Sequence, residues 1–326
     1  MPLKFTAVSE PDAKLVRQIA DLTPDNPFYT NEYIEVRKRT GATSCAFLLD
    51  DDGKIVAGCI AFLSVGRMNS RVEVTSMPSV PDKELFRRGL FDFCRSRSIT
   101  GLGVQTFASL ETIFEYAERR IAHKRRSEFR LDLTVPDLWK IMNRRHHRLI
   151  KKARASGLEL RRANDAHARE RHVELANSSL ERRGMKGESI DSRISIEEVN
   201  AFIDCGAGEL FQAVHGDEVW SSVLVARSRT GAYAQSSGTS EDGRSVGSSH
   251  FLFHEGACVL KAEGVKVLNL GGADEESTGL QDFKLGLGSV KIDLESAEFY
   301  TGSTLKKFAT RAAALLKSFP GSPVGI

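Results

Sequence analysis

Two stretches half a chain apart carry the same shape, and that repetition constrains the fold more than anything else in the sequence. CAFLLDDDGKIVAGCIAFL, residues 45–63, and LFQAVHGDEVWSSVLVA, residues 210–226, are each two apolar, strand-forming runs around a tight turn. The turns are Asp52-Gly53 and Gly216-Asp217, and such pairs are strong hairpin signals. A helical pattern precedes each hairpin: LVRQIADL, residues 15–22, and IEEVNAFIDC, residues 196–205. A recurring hairpin in a recurring helical context predicts a duplicated α/β domain. The expected halves are residues 1–145 and 146–326.

The 326 residues suit two domains. No run approaches the roughly 18 apolar residues of a membrane span. The opening MPLKFTAVSEPDAK has no apolar core and no small-residue cleavage site, so no signal peptide is expected. Cys45, Cys59, Cys94, Cys205 and Cys258 are scattered and odd in number. That pattern argues against a disulfide scaffold or zinc ribbon and fits a reducing cytoplasm. A compact monomer is the expected state. The net charge of +3 is unevenly spread: residues 119–183 hold 19 Lys and Arg against 8 Asp and Glu. Such asymmetry suits a face for a polyanion or phosphorylated ligand, or simply a solvated helix surface.

After the second hairpin, residues 232–238 read as a third strand and residues 239–246 as a polar loop. A helix follows from Gly247, with Phe251, Leu252, Val259 and Leu260 as its apolar stripe. VKVLNLGG, residues 265–272, reads as a buried strand, giving a mixed sheet with a β-α-β unit. Residues 138–155 read as one basic helix with Ile141, Met142, Leu149, Ile150 and Ala153 as its apolar seam. Residues 303–319 read as a further amphipathic helix with Ser303 as its cap. TGLQDFKLGLGS, residues 278–289, reads as a glycine-rich loop in which Lys284 stands between Phe283 and Leu285.

The basic helix RRHHRLIKKARASGLEL, followed downstream by LNLGG and GLQDFKLGLG, resembles the Fem family of peptidoglycan-bridge aminoacyltransferases. NPFYTNEYIEVRKRTGA, residues 26–42, looks like that family's opening helix. The resemblance covers most of the chain. It implies two fused GNAT-type acyltransferase folds, with the acceptor in the cleft between the halves and the donor on the second. It also implies that the C-terminal helix packs back on the first half. Enzymes of that kind move an aminoacyl group from aminoacyl-tRNA to an amine of a nucleotide- or lipid-linked peptidoglycan precursor. Related chains act on small molecules. The resemblance gives Lys284 the role of stabilising the tetrahedral intermediate, and the aromatic ring of Phe283 beside it suits holding the adenosine end of the donor by stacking. It implies acceptor contacts, some of them phosphate-binding, by Arg37, Lys38, Arg145, Arg148 and Tyr233. The chemistry agrees, because amine attack on an ester places negative charge on the carbonyl oxygen.

A competing signal is RSVGSS, residues 244–249, which fits the pyrophosphate loop of acetyl-CoA-dependent GNAT enzymes except for its last serine. There Arg244, Gly247, Ser248 and Ser249 would cradle CoA at a helix N-terminus. A non-catalytic nucleic-acid-binding module built on residues 119–183 is a third reading, weakened by the lack of interleaved aromatics. His250 and His254 have zinc-ligand spacing but no third ligand, so no metal is expected. His146 and His147 are expected to face solvent or phosphate. No G-x-S-x-G elbow or phosphate-binding glycine motif is present. Asp274 and Asp282 are the candidates for a general base.

Overall fold

The computed structural model describes residues 2–66, 69–185, 187 and 193–302. The first half runs β1 (Lys4–Ser9), α1 (Ala13–Leu22), α2 (Asn31–Arg39), β2 (Thr43–Asp51), β3 (Lys54–Val65), β4 (Ser70–Val74), α3 (Lys83–Ser96), β5 (Gly101–Gln105) and β6 (Arg120–Asp132). Two helices follow, α4 (Leu138–Ile141) and α5 (Arg144–Ala155). The series then repeats as β7 (Glu159–Arg162), α6 (Ala166–Met185), α7 (Ile196–Asp204), β8 (Gly208–His215), β9 (Glu218–Arg227) and β10 (Gly231–Thr239). It closes with α8 (Glu241–Val246), α9 (Ser248–Ala262), β11 (Val267–Ala273), α10 (Thr278–Gly286) and β12 (Val290–Tyr300).

Both hairpins form, β2 with β3 and β8 with β9. Asp52 and Gly53 take φ of 52° and 83°, the left-handed pair that a two-residue turn between twisted strands requires. Among the described residues the twelve strands join one sheet in the order β1-β2-β3-β4-β5-β12-β6-β11-β10-β9-β8-β7. Within it, β4–β5 and β10–β11 are parallel. The halves exchange their last strands: β12 pairs with β5, and β6 pairs with β11. The two exchanged strands also pair with each other along their length. The mixed α/β architecture is therefore two similar units fused through a shared seam.

The core follows the exchange. One cluster fills the first half with Phe47, Phe62, Phe86 and Leu90 and takes in Phe202, Tyr233 and Phe299 from the second. The other packs Phe211, Phe251, Leu252 and Leu268 with Phe129 and Leu131 of β6. Burial of such side chains contributes about 1.5–3 kcal/mol each, so the exchange is anchored from both sides.

Three local expectations are corrected. Residues 278–286 are helix, not loop, because Leu280, Phe283, Lys284 and Leu287 recur at helical spacing on one face. The chain turns left-handed only beyond the helix, at Gly288 with φ 90°. Residues 138–155 are two helices, broken where Met142 is extended and the Asn143 side chain accepts from His146 N as an N-cap. An asparagine that caps in this way competes with helix continuation. Residues 241–246 also form a helix, α8, with the Ser240 side chain as its cap. The expected helix at 303–319 lies outside the described residues. Among the described residues no helix is long and apolar enough to cross a membrane.

Candidate active site

Lys284 sits in the last turn of α10, which points its side chain back toward β11 and β6. It is buried, 6% exposed. Its Nζ donates to the carbonyl oxygens of Gly271 and Gly272, each at 2.8 Å, and lies 5.4 Å from the Phe129 ring centre. Those carbonyls are presented by an irregularity in β11, where the register against β6 shifts between Asn269 and Gly272. Gly271 has φ 75° there. Burial lowers the Lys284 pKa to about 7; the Glu128 carboxylate opposes that fall, and Arg183 and Arg126 add to it. An ammonium has three donors; two are held by carbonyls, and the third meets no hydrogen-bond acceptor among the described residues.

Beside it is a fully buried acid that the sequence did not reveal. Glu128, on the exchanged strand β6, is 0% exposed. Its Oε1 accepts from Tyr233 Oη at 2.8 Å. Its Oε2 accepts from Asn269 Nδ2 at 2.8 Å and from Ala108 N at 3.1 Å. Burial pushes its pKa up, against those hydrogen bonds and Lys284. Burial and the neighbouring carboxylate hold the Tyr233 phenol well above its usual value. Tyr233 packs edge-on against Phe28 at 5.1 Å, so residues of both halves meet here. Nothing local marks Glu128; it lies in RRSEFRL, a basic strand whose partners are remote in sequence.

Along an adjoining flank of α10 is a cavity of about 480 Å³ lined by Asn143, Arg145, His146, His250, Asp282, Phe283 and Gly286. The Phe283 ring meets His250 edge-on at 4.9 Å and Phe253 edge-on at 5.6 Å, and stacks with His146 at 5.8 Å. His146 is buried, with Nε2 2.9 Å from Phe283 O and Nδ1 2.8 Å from Asn143 Oδ1. His147 stacks on Trp139. The expectation that both histidines face solvent or phosphate is thus corrected: the α5 N-terminus packs on α10 and α4 and takes them inward. Burial lowers the His250 pKa to about 4.

The remaining expected residues are spread apart. Arg37 is partly buried, pairs with Glu73 at 3.0 Å and lies over the Phe62 ring. Lys38 is exposed and pairs with Glu35. Arg145 shares the cavity of Phe283, while Arg148 is exposed one turn further along α5. Asp274 pairs with Arg126 at 2.9 Å and Lys124 at 3.3 Å; Asp282 lies on the cavity wall. Of the 244–249 segment, Arg244 belongs to α8, and Gly247, φ 83°, joins α8 to α9. The Ser248 hydroxyl is buried against Ser221, and the Ser249 hydroxyl lies 2.8 Å from that of Thr239. The α5 side chain of Leu149 covers Gly247: a Cβ placed there would lie 2.9 Å from Leu149 Cβ. Much of the basic excess of residues 119–183 is matched by acids from elsewhere, as in Arg125–Glu295, Arg130–Asp25 and Arg154–Glu255. The α5 cations Arg144, Arg145, Arg148, Lys151 and Lys152 remain exposed.

Residues 142–285 match the family model of an acetyltransferase (GNAT) domain. The solved structure of FemX is similar, with a TM-score of 0.67 and 12% identity over 90% of this chain and 97% of that one. A tandem GNAT protein from the clavulanic acid biosynthesis pathway gives 0.56 at 13% identity, over 93% of this chain and all (100%) of that one. The C-terminal domain of a putative lysylphosphatidylglycerol synthetase from Agrobacterium fabrum gives 0.54 at 13% identity, over 96% and 99%. No curated protein matches the sequence. The duplicated topology, the matched domain and these neighbours define the fold: two fused GNAT-like units, the second of which carries the matched domain. Its fold is Fem-like, with the match to FemX spanning both halves.

Proposed function

We propose that the protein transfers an aminoacyl group from aminoacyl-tRNA to an amine acceptor, a peptidoglycan-precursor-like or small molecule, with Lys284 stabilising the oxyanion. One observation carries this reading: a buried lysine nitrogen held by two backbone carbonyls, whose third donor meets no acceptor among the described residues. The acceptor nitrogen attacks the ester carbonyl carbon, and the C–N bond forms as the carbonyl π electrons move to oxygen. Lys284 donates to that oxygen. The intermediate collapses by breaking the bond to the ribose oxygen, and the proton lost by the amine ends on that leaving hydroxyl. A preorganised donor of this kind contributes about 3 kcal/mol. Phe283, half-buried in the cavity beside Arg145, is suited to stacking on the terminal base, and Arg145 to an adjoining phosphate.

A second reading is N-acyl transfer from acetyl-CoA or another acyl-CoA. In its favour, residues 142–285 match an acetyltransferase (GNAT) domain model. Against it, Leu149 occupies the space over Gly247 where a pyrophosphate would approach the start of α9.

The test is a donor comparison. Purified protein is incubated with a pool of charged tRNAs, and separately with radiolabelled acetyl-CoA, in the presence of cell-extract acceptors. Discharge of one tRNA species, abolished by Lys284→Ala, supports aminoacyl transfer. Consumption of acetyl-CoA, with heat on CoA binding in calorimetry, replaces it with the second reading.

A further inference from the structure

Lys284 is reached through a chain of hydrogen bonds that begins at Glu128. The Glu128 carboxylate accepts from Asn269 Nδ2 at 2.8 Å. The Asn269 Oδ1 accepts from Gly271 N at 2.8 Å. The Gly271 carbonyl then accepts from Lys284 Nζ, again at 2.8 Å. Each link fixes the next: the acid orients the amide, the amide holds the left-handed turn, and the turn aims its carbonyl at the ammonium. Glu128 is itself fixed by Tyr233 Oη and Ala108 N and stands opposite Gly272 in the β6–β11 register.

Among the described residues, no ion pair joins Glu128 to Lys284 directly; backbone carbonyls hold the ammonium. That spacing matters chemically. A direct pair would occupy the third N–H and neutralise the cation that an oxyanion needs. A carboxylate at second remove favours the charged amine without competing for its donor. The other charged or titratable groups acting on the centre are Arg126 on β6, Arg183 on α6 and Tyr233 on β10. Both arginines disfavour the ammonium and Glu128 opposes them, while Asp274, just beyond β11, pairs with Arg126.

We propose that Glu128 is the positioning residue of this centre: through Asn269 and the Gly271 turn it sets where the Lys284 nitrogen sits, and its carboxylate balances the surrounding cations. The proposal rests on the oxyanion role given to Lys284 above. It adds that the strand exchange is functional, since β6 of the first half supplies the acid that organises the second half's lysine. Glu128 has both oxygens engaged and no exposed surface, so it acts through Lys284, not on substrate.

The experiment uses full-length protein labelled at the lysine Cε carbons with 13C, the Lys284 signal being assigned by its loss in Lys284→Met. Glu128→Gln keeps the shape and removes the charge. Its expected effect is a fall of about one unit or more in the Lys284 titration midpoint. In the tRNA donor assay above that midpoint, kcat falls at least tenfold with the donor KM unchanged. Asn269→Ala leaves Glu128 charged but cuts the chain, so kcat falls there as well. An unchanged Lys284 midpoint in Glu128→Gln, or wild-type kcat in Asn269→Ala, overturns the proposal. If the wild-type protein discharges no tRNA, the transfer reading fails by itself, and the midpoint still decides whether Glu128 governs Lys284.

Discussion

Lys284 Nζ lies 2.8 Å from the carbonyl oxygen of Gly271, a residue whose φ of 75° turns that carbonyl off the line of β11. The bond ties the final turn of α10 to an irregular strand and holds a cation where water is scarce. A lysine merely solvating the surface makes no such bond. Four expectations follow from this centre and its surroundings.

Removing the ammonium removes the oxyanion donor. Lys284→Met keeps an unbranched apolar stem in the same space, so circular dichroism matches the wild type. Transfer from the charged tRNA falls by two orders of magnitude or more, about 3 kcal/mol of transition-state stabilisation. Single-turnover kinetics measure it, and near-normal turnover would sink the assignment.

The pH dependence separates two roles for the same nitrogen. With its pKa lowered to about 7, Lys284 is ammonium below neutrality and amine above it. As an oxyanion donor it acts charged, so kcat/KM falls as pH rises through about 7. A rise through the same range would make it a base instead. Stability has the opposite sign. Between about 7 and the unfolded value of about 10.4, the unfolded chain holds a proton that the folded state has released. The Lys284 contribution to unfolding free energy therefore increases with pH across that window. Urea titrations of wild type and Lys284→Met at several pH values read it as a difference.

Gly286 admits α5 against α10. A Cβ there would lie 2.1 Å from His146 Cε1 and 2.6 Å from Asn143 Nδ2. Gly286→Ala must therefore push the two helices apart, costing about 1–3 kcal/mol as overpacking does. It also deforms the wall of the Phe283 cavity. Chemical denaturation gives the stability loss, and donor KM is expected to rise; an unchanged KM would separate the cavity from donor binding.

Arg145 lines the cavity of Phe283, while Arg37 is committed to Glu73. Arg145→Ala is thus expected to raise the KM for the tRNA donor severalfold and leave the acceptor KM unchanged. The reverse result, acceptor affected and donor not, would return Arg145 to the acceptor role that its place on the basic helix first implied.

Much of the fold was legible because it rests on local patterns. The hairpins at Asp52-Gly53 and Gly216-Asp217, the helix from Ser248 and the strand at Val267–Ala273 are written in short-range periodicity and turn chemistry. The misreading of Thr278–Gly286 as loop has a physical reason. Its glycines suggested a flexible segment, yet Gly286 is small because His146 lies against it, a contact made by a residue far away in the chain. The single helix expected over 138–155 failed similarly, since Asn143 turns its side chain to cap the second helix.

By itself, the sequence determined a duplicated α/β chain with a lysine beside a phenylalanine near its C-terminal end. Only the tertiary structure decided that the halves exchange β6 and β12, and that Glu128 thereby comes to the centre of Lys284. The reason is that alternation and turn residues specify which segments become strands, whereas the neighbour each strand chooses depends on burial and register summed over the whole sheet. A buried carboxylate has no local signature, because what makes its burial tolerable is a set of donors, Tyr233, Asn269 and Ala108, that only the folded sheet brings within reach.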